Sequence, residues 1–127
     1  MKKSVPAPAL SADVVARLER ARDFIESRFA KNPTLPKIAE QAGMNPFHFH
    51  RLFTKHFGQT PKKWLDELRI AAAKEMLNWG ESIPTITQTL GFAHQSHFTC
   101  RFRQLVGEPP GRWIRQQKVA RDASGPA

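Results

Sequence analysis

Phe47, His50, Arg51, Thr54 and Lys55 recur at i, i+3, i+4, i+7 and i+8, a spacing that gathers them on one face of a helix. Phe49, Phe53 and Phe57 fall on the opposite face. Later in the chain Ser96, Thr99, Cys100 and Arg103 repeat the pattern, with Gln95 just ahead of them. Guanidinium, ammonium, imidazole, amide and hydroxyl groups along a helix make a surface for hydrogen bonds and ion pairs. They do not make a reaction centre. The chain has no Gly-rich phosphate loop, no nucleophile motif and no carboxylate pair, and no enzymatic activity is expected. His48 and His50 stand about 200° apart around a helix and cannot share a metal ion. His94 and His97 are three apart and can share one, yet no carboxylate lies near them in sequence. No metal and no cofactor are expected. Cys100 on a basic helix has two readings, a redox-sensitive thiol or a small residue on the outward face, of which we take the second.

The partner that such a surface suits is a polyanion. In 127 residues, 20 Lys+Arg stand against 11 Asp+Glu, a net charge of +9. Charge of that sign and size favours nucleic acid first and an anionic membrane second. Nine Phe and 3 Trp within a 40% hydrophobic composition can build a core, so the chain is no disordered polybasic tail. Its length suits one domain of ordinary size. The single cysteine excludes an intrachain disulfide and any multi-cysteine zinc site. No run approaches the ~18 apolar residues that a membrane helix needs. Lys2 and Lys3 precede a weakly apolar stretch, but Pro6 and Pro8 break it. No signal peptide is expected, and the expected location is cytoplasmic.

The elements that must position these residues read as helices. Ser11 is a predicted N-cap, and behind it Val14, Leu18, Ala21, Ile25 and Phe29 mark an amphipathic helix closed by Asn32-Pro33. A short helix over residues 35–42 ends at Gly43. Asn45-Pro46 opens a third helix, with Phe49, Leu52, Phe53 and Phe57 as its buried stripe and Gly58 as its stop. Thr60-Pro61 opens a long helix that runs to Trp79, before Gly80. Leu65, Leu68, Ala72, Met76 and Trp79 occupy one side of it and Ile70, Ala73 and Leu77 its flank, which predicts packing on more than one side. Ser82 caps a fifth helix ending near Gly91. A sixth carries Phe98, Phe102, Leu105 and Val106 and stops at Gly107, and Glu108-Pro109-Pro110 leads into a last short basic helix with Trp113 and Ile114. There are no alternating strand patterns and no hairpin dipeptides. The predicted class is all-α with seven helices.

The chain also repeats itself. At an offset of 48, Ile38 matches Ile86, Gly43 matches Gly91 and Met44 matches Phe92. At an offset of 49, Phe49 matches Phe98, Phe53 matches Phe102, Gly58 matches Gly107, Pro61 matches Pro110 and Trp64 matches Trp113. Each copy is a short helix, a glycine turn and a second helix, which is the helix-turn-helix unit.

Several stretches resemble a known family, the DNA-binding domain of AraC-type transcriptional regulators. They are Leu35-Pro-Lys-Ile-Ala-Glu-Gln-Ala-Gly-Met-Asn-Pro-Phe-His-Phe-His-Arg-Leu-Phe, Gly58-Gln-Thr-Pro, and Leu68-Arg-Ile with Ala73 and Met76-Leu77. The second copy adds Ile86, Leu90-Gly-Phe, Gln95-Ser-His-Phe, and Gly107 with Pro110. The resemblance spans about residues 15 to 115. It implies two helix-turn-helix units joined by a long linker helix, with two recognition helices entering successive major-groove segments of double-stranded DNA, and it implies transcription activation with RNA polymerase as a partner. On that plan the chain divides into a flexible lead (1–10), a first helix-turn-helix subdomain (11–58), the linker helix (60–79), a second subdomain (82–118) and a flexible tail (119–127). A linker of about 19 residues is about 28 Å long, against a ~34 Å repeat of major grooves on one face of DNA. A single chain is therefore expected to span two groove segments as a monomer.

The resemblance puts base reading on Phe47, His50 and Arg51. Arginine can take guanine O6 and N7 with two hydrogen bonds, imidazole can donate to or accept from a base edge, and a phenyl ring can pack on thymine methyls. In the second unit Ser96, Thr99 and Cys100 hold the matching positions, with Gln95 just ahead of them at the N-terminus, and Gln95 can pair with adenine N6 and N7. Cys100 stands where the family commonly has arginine, and Ala93 replaces a usual Ser-type cap, so fewer base-specific contacts are expected there. Arg101 matches Leu52 of the first copy and is rotated ~100° from Cys100, so it cannot substitute. Thr54, Lys55, Lys62, Lys63, Arg103 and Arg112 are candidate phosphate contacts, joined by Arg115 and Lys118. Three other readings compete: the C-terminal DNA-binding domain of a larger ligand-sensing regulator, the regulatory half of a DNA-repair methyl acceptor, and a basic amphipathic membrane binder. The methyl-acceptor reading lacks a cysteine-rich metal site, and the membrane reading suffers because the basic residues are spread over seven helices.

Overall fold

The computed structural model describes residues 10–123. Among them are seven α-helices and no strand: α1 (Ala12–Arg28), α2 (Leu35–Gln41), α3 (Pro46–Phe57), α4 (Pro61–Asn78), α5 (Ile83–Thr89), α6 (Gln95–Val106) and α7 (Pro110–Ala123). One 3-10 turn, Phe29–Lys31, follows α1. The expected lead, residues 1–10, lies outside the described residues apart from Leu10.

The helix starts are chemically marked. Ser11 Oγ accepts from the Val14 N–H at 3.2 Å, Thr34 Oγ1 from Lys37 at 3.4 Å, Asn45 Oδ1 from His48 at 2.8 Å and Ser82 Oγ from Thr85 at 3.2 Å. Each satisfies one N–H that the first helical turn leaves without a partner. The capping residue of α6 is His94 rather than Ala93, and its side chain makes no capping hydrogen bond. Offset 49 pairs His94 with Asn45, so the weakened cap is real but stands one residue later than expected.

The chain forms two compact units. One contains α1 up to Ser27 together with Pro33–Lys62; the other contains Arg28–Asn32 and the chain from Lys63 onward. The helix read as a linker thus gives all but its first two residues to the second unit.

The first unit buries Leu18, Ala21 and Ile25 of α1, Ile38, Ala39 and Ala42 at α2, and Phe49 and Phe53 of α3. Phe49, Phe53 and Phe57 stack along α3 with ring centroids 5.4 and 4.6 Å apart, and the Arg22 guanidinium lies over the Phe57 ring. The second unit buries Ile70, Ala73 and Leu77 of α4 with Ile86, Leu90, Phe92, Phe98 and Phe102. Phe92, Phe98, Phe102 and Trp113 form a run of tilted and edge-on ring contacts, each favourable beyond its burial.

Two expectations are corrected here. On α4 both lines pack, Ile70, Ala73 and Leu77 fully and Leu65 with them, while Leu68, Ala72 and Met76 are half-buried; the exception is Trp79, which lies past the helix end, 72% exposed. Asp66 and Arg69 share the buried line with Leu65, Ile70, Ala73 and Leu77, so polar residues occupy positions that a hydrophobic pattern passes over. The last helix is not short, since it continues through Val119 to Ala123; the expected tail at 119–127 is helical over its first five residues, and 124–127 lie outside the described residues.

Candidate nucleic-acid interface

Asn45 and Pro46 fix the start of α3: the asparagine caps His48 N–H, and proline occupies the first turn, where its missing N–H costs nothing. From that fixed start the 3.6-residue period turns Phe49 and Phe53 inward and leaves Phe47, His50, Arg51 and Lys55 exposed. Phe47 is 92% exposed, so its ring is open to contact from outside the unit. Phe47, His48, His50 and Arg51 line one open concavity together with Asn45. Arg51 Nη2 stands 3.3 Å from His48 Nδ1, which steers the guanidinium along this surface. His48 falls outside the i, i+3, i+4 stripe of Phe47, His50 and Arg51, yet it lines the same hollow from the first turn of the helix. Thr54 and Lys55 follow one turn later. Thr54 is half-buried, and its hydroxyl donates to the His50 carbonyl at 2.7 Å.

On α6, Gln95, Ser96 and Arg103 are exposed, while Thr99 and Cys100 are half-buried. Cys100 is a free thiol. Arg101 turns away from these residues: its Nε donates to Asp66 Oδ2 at 2.9 Å and its Nη1 to Gln104 Oε1 at 2.7 Å. It does not stand in for the arginine missing at Cys100. Among the phosphate candidates, Lys62 and Lys63 are exposed in the first turn of α4. Arg112 is exposed and faces Glu108 Oε1 at 3.7 Å, an ion pair too open to water to hold it strongly. Arg115 lines a shallow hollow on α7 with Arg112, Gln116, Val119 and Ala120. Among the described residues no three His, Cys, Asp or Glu side chains come together as metal ligands.

Sequence reasoning missed a buried charge cluster in the second unit. Asp66 is fully buried and Arg69 is 1% exposed. Arg69 Nη1 donates to Asp66 Oδ1 at 3.2 Å and to Asn32 Oδ1 at 3.4 Å, and Nε donates to the Leu90 carbonyl at 2.9 Å. Its guanidinium carbon sits 3.5 Å from the Phe92 ring centroid, while Nη2 has no hydrogen bond. Burial pulls the Arg69 pKa below the ordinary arginine value, the Asp66 charge and hydrogen bond oppose that, and Arg101 adds to the lowering. An arginine keeps its charge through such shifts. The available signal was the i, i+3 spacing of Asp66 and Arg69 in register with Ile70 and Ala73.

Two helix-turn-helix units with exposed hydrogen-bonding second helices define a DNA-binding module. Comparison with known proteins narrows the class. A helix-turn-helix domain family matches residues 38–116. The XylDLEGF operon transcriptional activator of Pseudomonas putida is 35% identical over 104 residues, covering 79% of this chain and 32% of that protein. A solved transcriptional regulator of the AraC-type DNA-binding-domain group from Chromobacterium violaceum matches with a TM-score of 0.71 at 28% identity, over 84% of this chain and 96% of that one. The DNA-binding domain of AdpA, a global transcriptional factor solved with a target DNA, shares the fold with a TM-score of 0.77 at 20% identity, over 84% of this chain and 96% of that one. The chain belongs to the AraC-type helix-turn-helix family of DNA-binding transcription regulators. It spans about a third of the length of the curated relatives it matches. The family and fold are those of DNA-binding regulators, not of enzymes, and among the described residues no helix is long and apolar enough to cross a membrane.

Proposed function

We propose that this chain activates transcription from the cytoplasm, by laying α3 and α6 into successive major-groove segments of an asymmetric duplex site as a monomer, without catalysis of its own. The observation that carries the reading is the exposed Phe47, His50 and Arg51 surface on a capped helix, in a unit that the chain repeats. Arg51 reads guanine, His50 a neighbouring base edge, and Phe47 thymine methyls. Gln95, Ser96, Thr99 and Cys100 give the second helix a weaker vocabulary. Thr54, Lys55, Lys62, Lys63, Arg103 and Arg112 contact phosphates and fix the register. RNA polymerase is the protein partner that activation requires.

The test is selection of bound duplexes from a random pool, followed by titration of the selected site. One chain per site of about two helical turns, roughly 20 base pairs, is the expected result, with log affinity falling steeply against log salt. Two chains per minimal site, or affinity indifferent to salt, would overturn the reading. The one-third coverage of its relatives supports a second reading, as the DNA-binding portion of a larger ligand-sensing regulator. The mass of the native protein, detected by an antibody against this chain, separates the two.

A further inference from the structure

We propose that Asp66, Arg69 and Arg101 are positioning residues for base recognition: a buried carboxylate on α4 fixes the rotation of α6 and so sets which bases the second unit prefers. The inference rests on α6 facing DNA. The geometry is specific. Asp66 spends its two oxygens on two arginines, Oδ2 on Arg101 of α6 and Oδ1 on Arg69 of its own helix. Arg69 then reaches the Leu90 carbonyl at the end of α5, the Phe92 ring in the turn, and the Asn32 side chain. One carboxylate and two guanidiniums thus hold both the turn and the second helix of the unit. The excess positive charge is met by the carbonyl and amide oxygens and by the ring face.

Among the described residues the first unit has no buried carboxylate or buried arginine. The residue matching Arg101 is Leu52, half-buried on α3, whose apolar packing favours contact but no particular direction. A guanidinium on a carboxylate is directional. Successive residues turn ~100° around a helix, so fixing Arg101 also fixes the bearing of Ser96, Thr99, Cys100 and Arg103. The need is greater on α6, because His94 supplies no side-chain cap to hold its start. Arg101 is only 23% exposed and points to Asp66, so its effect on DNA is exerted through orientation.

The experiment uses the full chain with Arg101→Leu, which installs the side chain of the first copy, and Arg101→Lys, which keeps the charge but loses the planar fork. Each is measured against every single-base-pair substitution of the site selected by the unaltered chain, well below its unfolding midpoint, with the salt slope taken in parallel. Arg101→Leu should reduce base preference about five- to tenfold at the α6 positions, with preferences at the α3 positions and the salt slope unchanged. Arg101→Lys should fall between. Base preference that is intact in the α6 half of both variants overturns this inference alone, as does a loss spread evenly over all positions, the mark of a merely structural role. An unaltered chain without any preference in that half overturns the reading of α6 itself, and this inference with it.

Discussion

Gly43 and Gly91 occupy the same point of the two repeats and adopt the same left-handed backbone, with φ of +66° and +78°. Their surroundings differ. A Cβ on Gly43 would meet only the tip of the Arg17 side chain at 3.7 Å, whereas one on Gly91 would lie 2.6 Å from the Ala30 carbonyl oxygen and 3.2 Å from Asn32 Cβ. The second turn is pressed against the Phe29–Lys31 segment, whose Phe29 also packs on the second unit's core. The same contrast runs through the rest of each half. The first is held by an asparagine cap and apolar packing and exposes an aromatic ring, an imidazole and an arginine. The second is held by a buried charge cluster and a close backbone approach, and exposes an amide, a hydroxyl and an arginine, with the Cys100 thiol half-buried among them. A duplicated fold keeps its turn geometry because the backbone demands it, while the restraints around the turn and the chemistry on its outer face are free to diverge.

The largest expected effect tests the two turns. Alanine in a left-handed position costs about 1–2 kcal/mol, which is the whole expected loss for Gly43→Ala. Gly91→Ala adds a clash with backbone that cannot swing aside, and overpacking of that kind costs about 1–3 kcal/mol more. Urea unfolding should therefore rank Gly91→Ala well below Gly43→Ala. Equal losses would mean that the Ala30 approach is slack.

Next in size is the expected difference between the two proposed reading faces. Arg51→Ala should weaken binding to the selected site by about 1–3 kcal/mol and relax preference at one or two base pairs. Cys100→Ala should cost much less, because a thiol is a weak donor. Cys100→Arg should sharpen preference in the α6 half, since it restores the fork that the first copy carries. A base-by-base scan of the site with the three variants decides. Equal damage from Cys100→Ala and Arg51→Ala would remove the asymmetry, and a uniform loss over all sequences from Arg51→Ala would make that residue a phosphate clamp.

The seven helices and their glycine stops were legible because most of the boundaries are written in local chemistry: Ser11, Asn45 and Ser82 at starts, Gly43, Gly58, Gly91 and Gly107 at ends. The face carrying Phe47, His50 and Arg51 was legible from period alone. Asp66, Arg69 and Arg101 were not. A hydrophobic pattern reads charge as surface, and apart from Asp66, three residues away, the partners of Arg69 lie 21 and 37 residues off along the chain, where no local rule reaches. The same limit hid the assignment of Arg28–Asn32 to the second unit: Phe29 continues the α1 stripe by spacing, yet packs on a core built by later helices. The continuation of α7 to Ala123 was missed because Lys118, Arg121 and Asp122 offer no apolar stripe to mark it.

The smallest expected effect concerns the caps. Asn45 and His94 both adopt extended backbone, with ψ of 156° and 150°, and both immediately precede the first helical residue. Asn45 Oδ1 reaches the N–H three residues on, at His48; the equivalent N–H on α6 belongs to His97, and the His94 imidazole does not cap it. Asn45→Ala should therefore lower stability by about 1 kcal/mol, while His94→Ala should change it by only a few tenths, about what an uncapped position has to lose. His94→Asn should raise stability by about 0.5–1 kcal/mol, because the backbone is already in the conformation that the asparagine cap uses. The measurement is the shift of the urea midpoint at constant slope. If His94→Ala costs as much as Asn45→Ala, the imidazole restrains α6 by some other contact, and the contrast between a capped first reading helix and an uncapped second one is lost.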